Sequence, residues 1–274
     1  MAFIQISLMS QSLMRTVSVN VILPADKLAV PGAAPATGPY KTLYLLHGIF
    51  GSQYDWVNGT NVQRWAEEKN LAVVMPAGEN MFYVDQQDGH TLYGQFIGQE
   101  LPALMRRMFP LSDRREDTFI AGLSMGGYGA LRNGLKYVDT FGYIAGLSAA
   151  NIVEGIEQRT DDAPRFFATR RYAQAVFGPL DQVKNSDKDI AWLARQLPGT
   201  GKPLPHIYLA CGVDDGLLET DRRLRDVFRE QGYDVTWEEG PGSHEWDFWN
   251  RHIKRVIDWL PLSGEAGISS GNVK

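Results

Sequence analysis

The chain has 274 residues, 44% of them hydrophobic and 22% charged, with a net charge of −5. That length supports one large core, so a single domain over residues 1–262 is expected, followed by a polar, Gly/Ser-rich tail at 263–274. The acidic balance argues against a general nucleic-acid partner, and the densest basic run, Arg222, Arg223 and Arg225, is interleaved with Asp221, Asp226 and Glu230 as on a solvated helix face. The single cysteine, Cys211, cannot form an intramolecular disulfide. No apolar run is long enough to span a bilayer, and the start lacks the basic segment of a signal peptide, so a cytoplasmic protein without a membrane partner is expected.

In chain order, residues 2–8 and 16–23 largely alternate apolar and polar side chains and read as an antiparallel strand pair at a sheet edge. Pro24 closes the second strand, and residues 30–39, rich in Pro, Gly and Ala, form a loop. The continuous apolar run at Thr42–Leu46 predicts a central strand covered on both faces, ending in His47, Gly48, Ile49, Phe50 and Gly51. A helix over 61–69 and a strand over 71–75 follow, then a longer helix over 92–109. Residues 118–123 predict a buried strand, and 141–147 another. From 149 to 205 the alternation lapses into charged residues broken by Pro164, Pro179 and Pro198, which predicts short helices inserted as a cap over the end of the sheet. A strand at 206–211, a helix at 217–231, a strand at 233–237 and a helix at 245–260 complete the pattern. Strands alternating with helices after an antiparallel start predict an α/β fold with a mostly parallel central sheet and helices on both faces. In such a sheet, chemistry gathers at the carboxyl ends of the strands.

The most informative stretch is the junction of the 118–123 strand with the helix after it. Gly122, Ser124 and Gly126 form a G-x-S-x-G pattern, followed by Gly127, Gly129 and Ala130. Strand, tight turn and helix are the context of a nucleophile elbow, in which small neighbours let Ser124 sit at the tip. The helix N-terminus then favours negative charge beside the hydroxyl. A serine needs a base. Of five histidines, His244 lies after the last strand and before the last helix, the place for a base in the order serine, acid, histidine. His47 suits a structural role better. The acid belongs between them, and both Asp214 and Asp215 follow the 206–211 strand, a position from which a carboxylate would hold the imidazole; spacing does not choose between them. Oxyanion-hole amides are expected from Met125, next to the nucleophile, and from Ile49 in the loop after the third strand. Such donors contribute on the order of 3 kcal/mol each. Trp56, Tyr83 and Trp246 fall near strand ends and are candidates for an acyl pocket, and Arg165, Phe166, Phe167, Arg170 and Arg171 for the entrance. His244 has no second histidine four residues on, and no lysine follows the elbow glycines, so neither a zinc-protease nor a phosphate-loop reading holds, and no metal or cofactor is expected.

The segments around Gly48, Ser124, Asp215 and His244 together resemble the esterase D and S-formylglutathione hydrolase-like branch of the α/β-hydrolases, above all its bacterial tributyrin-esterase-type members, over residues 3–260. The resemblance implies Ser124 as nucleophile, His244 as base, Asp215 rather than Asp214 as acid, and the amides of Ile49 and Met125 as the oxyanion hole. It implies a carboxylesterase acting on small acyl esters through an acyl-enzyme. Related activities stay open: S-formylglutathione hydrolysis, acetyl or feruloyl carbohydrate esterase activity, acyl transfer of the antigen 85 type, or a non-catalytic binding module. The expected partner is a small-molecule ester, and a homo-oligomer is left open.

Overall fold

A computed structural model of the chain describes residues 1–27 and 38–263. Most of the expected 30–39 loop and the 263–274 tail lie outside the described residues. An eight-stranded sheet forms the middle of the molecule. Its strands are β1 (Ala2–Ser10), β2 (Arg15–Leu23), β3 (Thr42–Leu46), β4 (Ala72–Pro76), β7 (Thr118–Leu123), β8 (Tyr143–Leu147), β9 (His206–Gly212) and β10 (Val235–Gly240), and a two-stranded hairpin, β5 (Asp85–Gln86) with β6 (Thr91–Leu92), stands apart. The spatial order is β1-β2-β4-β3-β7-β8-β9-β10. β1, β2 and β4 pair antiparallel, and every pairing from β4 through β10 is parallel. The chain is thus an α/β-hydrolase fold, with its helices on both faces.

The period-two alternation of the strands sorts the core into two layers. Leu43, Leu45, Phe119, Ala121 and Leu123 face one side, where they meet Trp56 of α1 (Asp55–Gly59), Val62 and Ala66 of α2 (Val62–Glu68), and Ile253, Val256 and Ile257 of α9 (Trp246–Trp259). Tyr44, Leu46, Ile120, Ile144 and Leu209 face the other side. There they meet Leu101 and Met105 of α4 (Leu101–Met108), Tyr128 and Leu131 of α5 (Met125–Lys136), and Leu224 and Phe228 of α8 (Leu218–Glu230). Side chains of this size buried on both faces contribute about 1.5–3 kcal/mol each, which makes the central strands the rigid floor of the site. Among the described residues, no helix is long and apolar enough to cross a membrane.

The long helix expected over 92–109 is interrupted. It runs as α3 (Tyr93–Gln95), a π-helical turn at Phe96–Glu100, and α4. Pro102 explains the break, because it has no N–H to return to the Gly98 carbonyl. That carbonyl accepts from the Thr140 hydroxyl instead, at 3.1 Å.

Residues 149–205 do form short helices, chiefly α6 (Arg170–Phe177) and α7 (Ile190–Gln196). They are less a separate cap than expected. Ala173, Val176, Phe177, Ile190 and Ala194 are buried in the same layer as α5. The base of the segment is also tied down by charge: Arg132 of α5, fully buried, reaches the Asp187 carboxylate at 2.5 Å, and Lys136 shares that carboxylate.

Candidate active site

The site grows from the turn between β7 and α5. Ser124 adopts φ 53° and ψ −118°, in the left-handed half of the map that a residue with a Cβ avoids. Its neighbours explain how the turn closes. A Cβ on Gly122 would fall inside the carbonyl of Gly126, and one on Gly126 inside the carbonyls of Leu46 and His47. Two backbone strands therefore pass at a distance only glycine allows. The Ser124 N–H donates to the Leu147 carbonyl at 2.9 Å, and its carbonyl accepts from the N–H groups of Tyr128 and Ala150 at 3.0 Å each. The elbow is thereby clamped between the ends of β3 and β8.

β9 and β10 deliver the other two expected groups. Their ends are zipped together by backbone: Val213 N–H donates to the Gly240 carbonyl and Asp214 N–H to the Gly242 carbonyl, both at 3.0 Å. This brings the turn bearing Asp215 against the turn bearing His244. His244 Nε2 lies 2.9 Å from Ser124 Oγ, and His244 Nδ1 lies 2.8 Å from Asp215 Oδ2. Asp214 points to solvent. The other Asp215 oxygen, Oδ1, accepts from the Leu217 N–H at 2.9 Å. Burial would raise this carboxyl, but hydrogen bonds from His244, Leu217 and Ser148 outweigh it and hold Asp215 below the ordinary value of 3.8. A carboxylate facing Nδ1 fixes the proton there and leaves Nε2 to accept the proton of Ser124. The His244 side chain stays open to solvent while Ser124 is nearly buried.

Met125 and Ile49, the expected oxyanion donors, are next in sequence to Ser124 and to its close neighbour Gly48, respectively. Met125 is the first residue of α5. Ile49 follows Gly48, whose added Cβ would stand 3.5 Å from that of Ser124. The loop holding Ile49 is fixed by Phe50 N–H donating to Asn80 Oδ1 at 2.8 Å and by Gly51 N–H donating to the Gly48 carbonyl at 3.2 Å. His47 pins it from behind. Its Nε2 accepts from the Gly78 N–H at 2.9 Å, so the ring proton sits on Nδ1, which donates to the Gly48 carbonyl at 2.7 Å. Burial lowers the His47 pKa and keeps the ring neutral in that arrangement.

Two of the three residues expected to line an acyl pocket are corrected by the structure. Trp56 and Tyr83 are closed inside the core: Trp56 is 1% exposed with its N–H given to the Leu46 carbonyl, and Tyr83 is 0% exposed with its hydroxyl donating to the His47 carbonyl. Trp246 is half-buried, edge-on to both Trp56 and Trp249. Trp56 and Tyr83 thus brace the strand ends from inside the core, while Trp246 keeps part of its surface open. Of the expected entrance group, Arg165, Phe166 and Phe167 line a surface cavity with Phe50 and Pro164, whereas Arg170 is turned back to the carbonyls of Glu157 and Arg159 and Arg171 pairs with Asp161 at 3.4 Å.

Three further residues belong to the surroundings of the site. Ser148, at positive φ after β8, hydrogen-bonds Asp215 and accepts from the Trp249 indole N–H at 3.2 Å. Trp249 meets the His244 ring edge-on at 4.9 Å. Asp221 is wholly buried rather than part of a solvated face; its Oδ2 accepts from the Ala149 N–H at 2.9 Å and its Oδ1 has no partner. Burial pushes the Asp221 carboxyl well above 3.8, reinforced by the nearby charge of Asp215. The signal for Asp221 was there in its spacing, since it shares a helical stripe with Leu217, Leu224 and Phe228. Ser148 carried no such signal.

Comparison with known proteins finds esterases and serine hydrolases. Residues 10–259 match the model of a family described as "Putative esterase". The acetyl esterase of Caldicellulosiruptor saccharolyticus is 41% identical over 261 residues, covering 95% of this chain and 98% of that one. The S-formylglutathione hydrolase of Staphylococcus aureus is 31% identical with a TM-score of 0.80, over 94% of this chain and 98% of that one. FphF, a fluorophosphonate-binding serine hydrolase of the same organism solved with substrate bound, is 30% identical with a TM-score of 0.82 at the same coverage.

Proposed function

We propose that this chain, which belongs to the esterase family whose model it matches over residues 10–259 and is a carboxylester hydrolase, cleaves short-chain acyl esters through Ser124, His244 and Asp215. The observation that carries this reading is the unbroken hydrogen-bond path from Ser124 Oγ through both nitrogens of His244 to Asp215 Oδ2. In it, Ser124 Oγ attacks the ester carbonyl as His244 Nε2 takes its proton. The amides of Ile49 and Met125 hold the oxyanion, which is worth on the order of 3 kcal/mol per donor. Asp215 stabilises the imidazolium, and His244 hands its proton to the leaving oxygen. Water repeats the sequence on the acyl-enzyme and frees Ser124. The small acyl group is supported by the acetyl esterase named above, and the thioester alternative by the S-formylglutathione hydrolase.

Initial rates on p-nitrophenyl esters from acetate to decanoate, run beside S-formylglutathione, test the proposal. The expected outcome is fast turnover of acetate and butyrate, slow turnover of the longer chains and of the thioester, and a loss of roughly 10⁴- to 10⁶-fold in kcat for Ser124→Ala. A thioester preference would reassign the substrate while keeping the mechanism. Equal rates for wild type and Ser124→Ala would overturn the mechanism itself.

A further inference from the structure

Most large apolar side chains of this protein are buried, but Phe50 is 68% exposed and Phe166 47%. The two are not scattered. Their ring centroids lie 5.7 Å apart, each is 5.7 Å from Phe167, and Phe166 stands 5.3 Å from Tyr172. Exposed rings grouped in this way mark a binding surface more often than chance does. With Pro164 and Arg165, the three phenylalanines line a cavity of about 420 Å³, inside the range of about 300–1,000 Å³ common to small-molecule sites.

One wall of the cavity, Phe50, belongs to the loop that leaves β3 toward the elbow. Phe50 stands two residues after Gly48, which packs on Ser124, and two trans peptides span at most about 7.6 Å. Its position is held rather than loose, through the Phe50 N–H bond to Asn80 Oδ1 and the Tyr172 hydroxyl donating to the Asn80 carbonyl. Arg165 supplies the one charge in the lining. Among the described residues it pairs with no carboxylate, and its guanidinium stands 5.9 Å from the Phe167 ring centroid. An unpaired guanidinium beside aromatic rings suits a planar group that carries an anion, because it offers a flat stacking edge and a two-pronged donor together.

We propose that this cavity is the leaving-group subsite, and that it takes an aromatic alcohol bearing a carboxylate. The inference rests on Ser124 as nucleophile and on a small acyl group, which leaves the larger part of the ester to the cavity. In the step itself the bond between the acyl carbon and the aryl oxygen breaks. The bond from Ser124 Oγ to that carbon forms, and the aryl oxygen leaves with the proton held by His244.

The test compares kcat/KM for ethyl acetate, phenyl acetate and 4-carboxyphenyl acetate in wild type, Arg165→Gln and Phe166→Ala. Ratios between proteins cancel the intrinsic reactivity of each ester. Arg165→Gln is expected to lower the preference for 4-carboxyphenyl acetate over phenyl acetate at least fivefold. Phe166→Ala is expected to lower the preference for phenyl acetate over ethyl acetate at least fivefold, chiefly through KM. Both side chains are exposed, so unchanged circular dichroism should accompany both effects. Preferences within twofold of wild type would overturn the subsite and leave the esterase reading standing. A dimer that Phe166→Ala dissociates without moving either preference would assign the aromatic face to a second copy of the chain instead. Wild type inert toward all three esters would remove both readings.

Discussion

The elbow and the 149–205 segment meet where the Ala150 N–H donates to the Ser124 carbonyl, yet they are held by different forces. Around Ser124 the contacts are backbone to backbone: Gly122 against Gly126, Gly126 against the carbonyls of Leu46 and His47, and Ser124 between the Leu147 carbonyl and the Ala150 N–H. The inserted segment is held by side chains. Arg132 and Lys136 grip Asp187, the Tyr128 hydroxyl donates to the Lys188 carbonyl at 2.5 Å, and Tyr172 reaches the Asn80 carbonyl. Backbone packing at this distance leaves no room for a Cβ, whereas the side-chain anchors of the insertion hold its base and leave the Pro164 and Phe166 side chains exposed. On the readings proposed above, the chemistry is fixed by the sheet and the substrate rim is carried by the insertion.

Paired glycine substitutions give the largest expected contrast. A Cβ at Gly126 meets two carbonyl oxygens that cannot move without breaking β3 away from the turn, so Gly126→Ala should cost several kcal/mol, about 3–5, or prevent folding. Gly199, in the helical turn Leu197–Thr200, has nothing within 4 Å of an added Cβ. Gly199→Ala should leave stability within about 1 kcal/mol, with a gain more natural than a loss because the unfolded chain becomes stiffer. Chemical denaturation of the two variants would break the comparison if both were equally tolerated.

A smaller effect probes the strain in Ser124 itself. A residue with a Cβ held at φ 53° and ψ −118° costs of order 1–3 kcal/mol. Glycine relieves that cost and alanine does not. Ser124→Gly should therefore melt higher than Ser124→Ala by about 1 kcal/mol in stability, with both expected to be inactive on the proposed mechanism. Equal melting points would mean that the turn is not strained and that the helix and sheet impose no penalty on the nucleophile.

The same division explains what could be read from the sequence. Strand β3 and the G-x-S-x-G turn were legible because apolar runs and glycines report burial and close approach directly. His244 was legible because its loop sits between the last strand and the last helix. Spacing did not choose Asp215 over Asp214, and only the family resemblance did, since adjacent residues on a turn point in opposite directions and the direction depends on the zipped backbone of β9 and β10. Trp56 and Tyr83 fell at strand ends, as pocket residues would, but their polar atoms reach carbonyls inside the core. The π-turn before Pro102 was hidden because helical periodicity survives on either side of it.

Two carboxyls behind the histidine offer the most delicate test, because they carry opposite signs. Asp215, held below 3.8, binds its proton less readily when folded. Its contribution to stability is complete above that value and is lost as the pH falls through the depressed one. Asp221, pushed well above 3.8, keeps a proton in the folded state that the unfolded chain has released. Its contribution is therefore greatest at low pH and declines as the pH rises from about 3.8 toward the raised value. Asp221→Asn keeps the neutral shape and removes the titration. Urea midpoints at pH 3, 5, 7 and 9 should show the wild type losing ground to Asp221→Asn as the pH rises, while the parallel Asp215→Asn comparison shifts only below about pH 4. A constant gap between wild type and Asp221→Asn would mean that Asp221 is ionised beside Asp215. The buried end of α8 would then be stabilised by something other than a neutral acid, with Ala149 N–H and the Cys211 thiol as the donors that a carboxylate there would have to rely on.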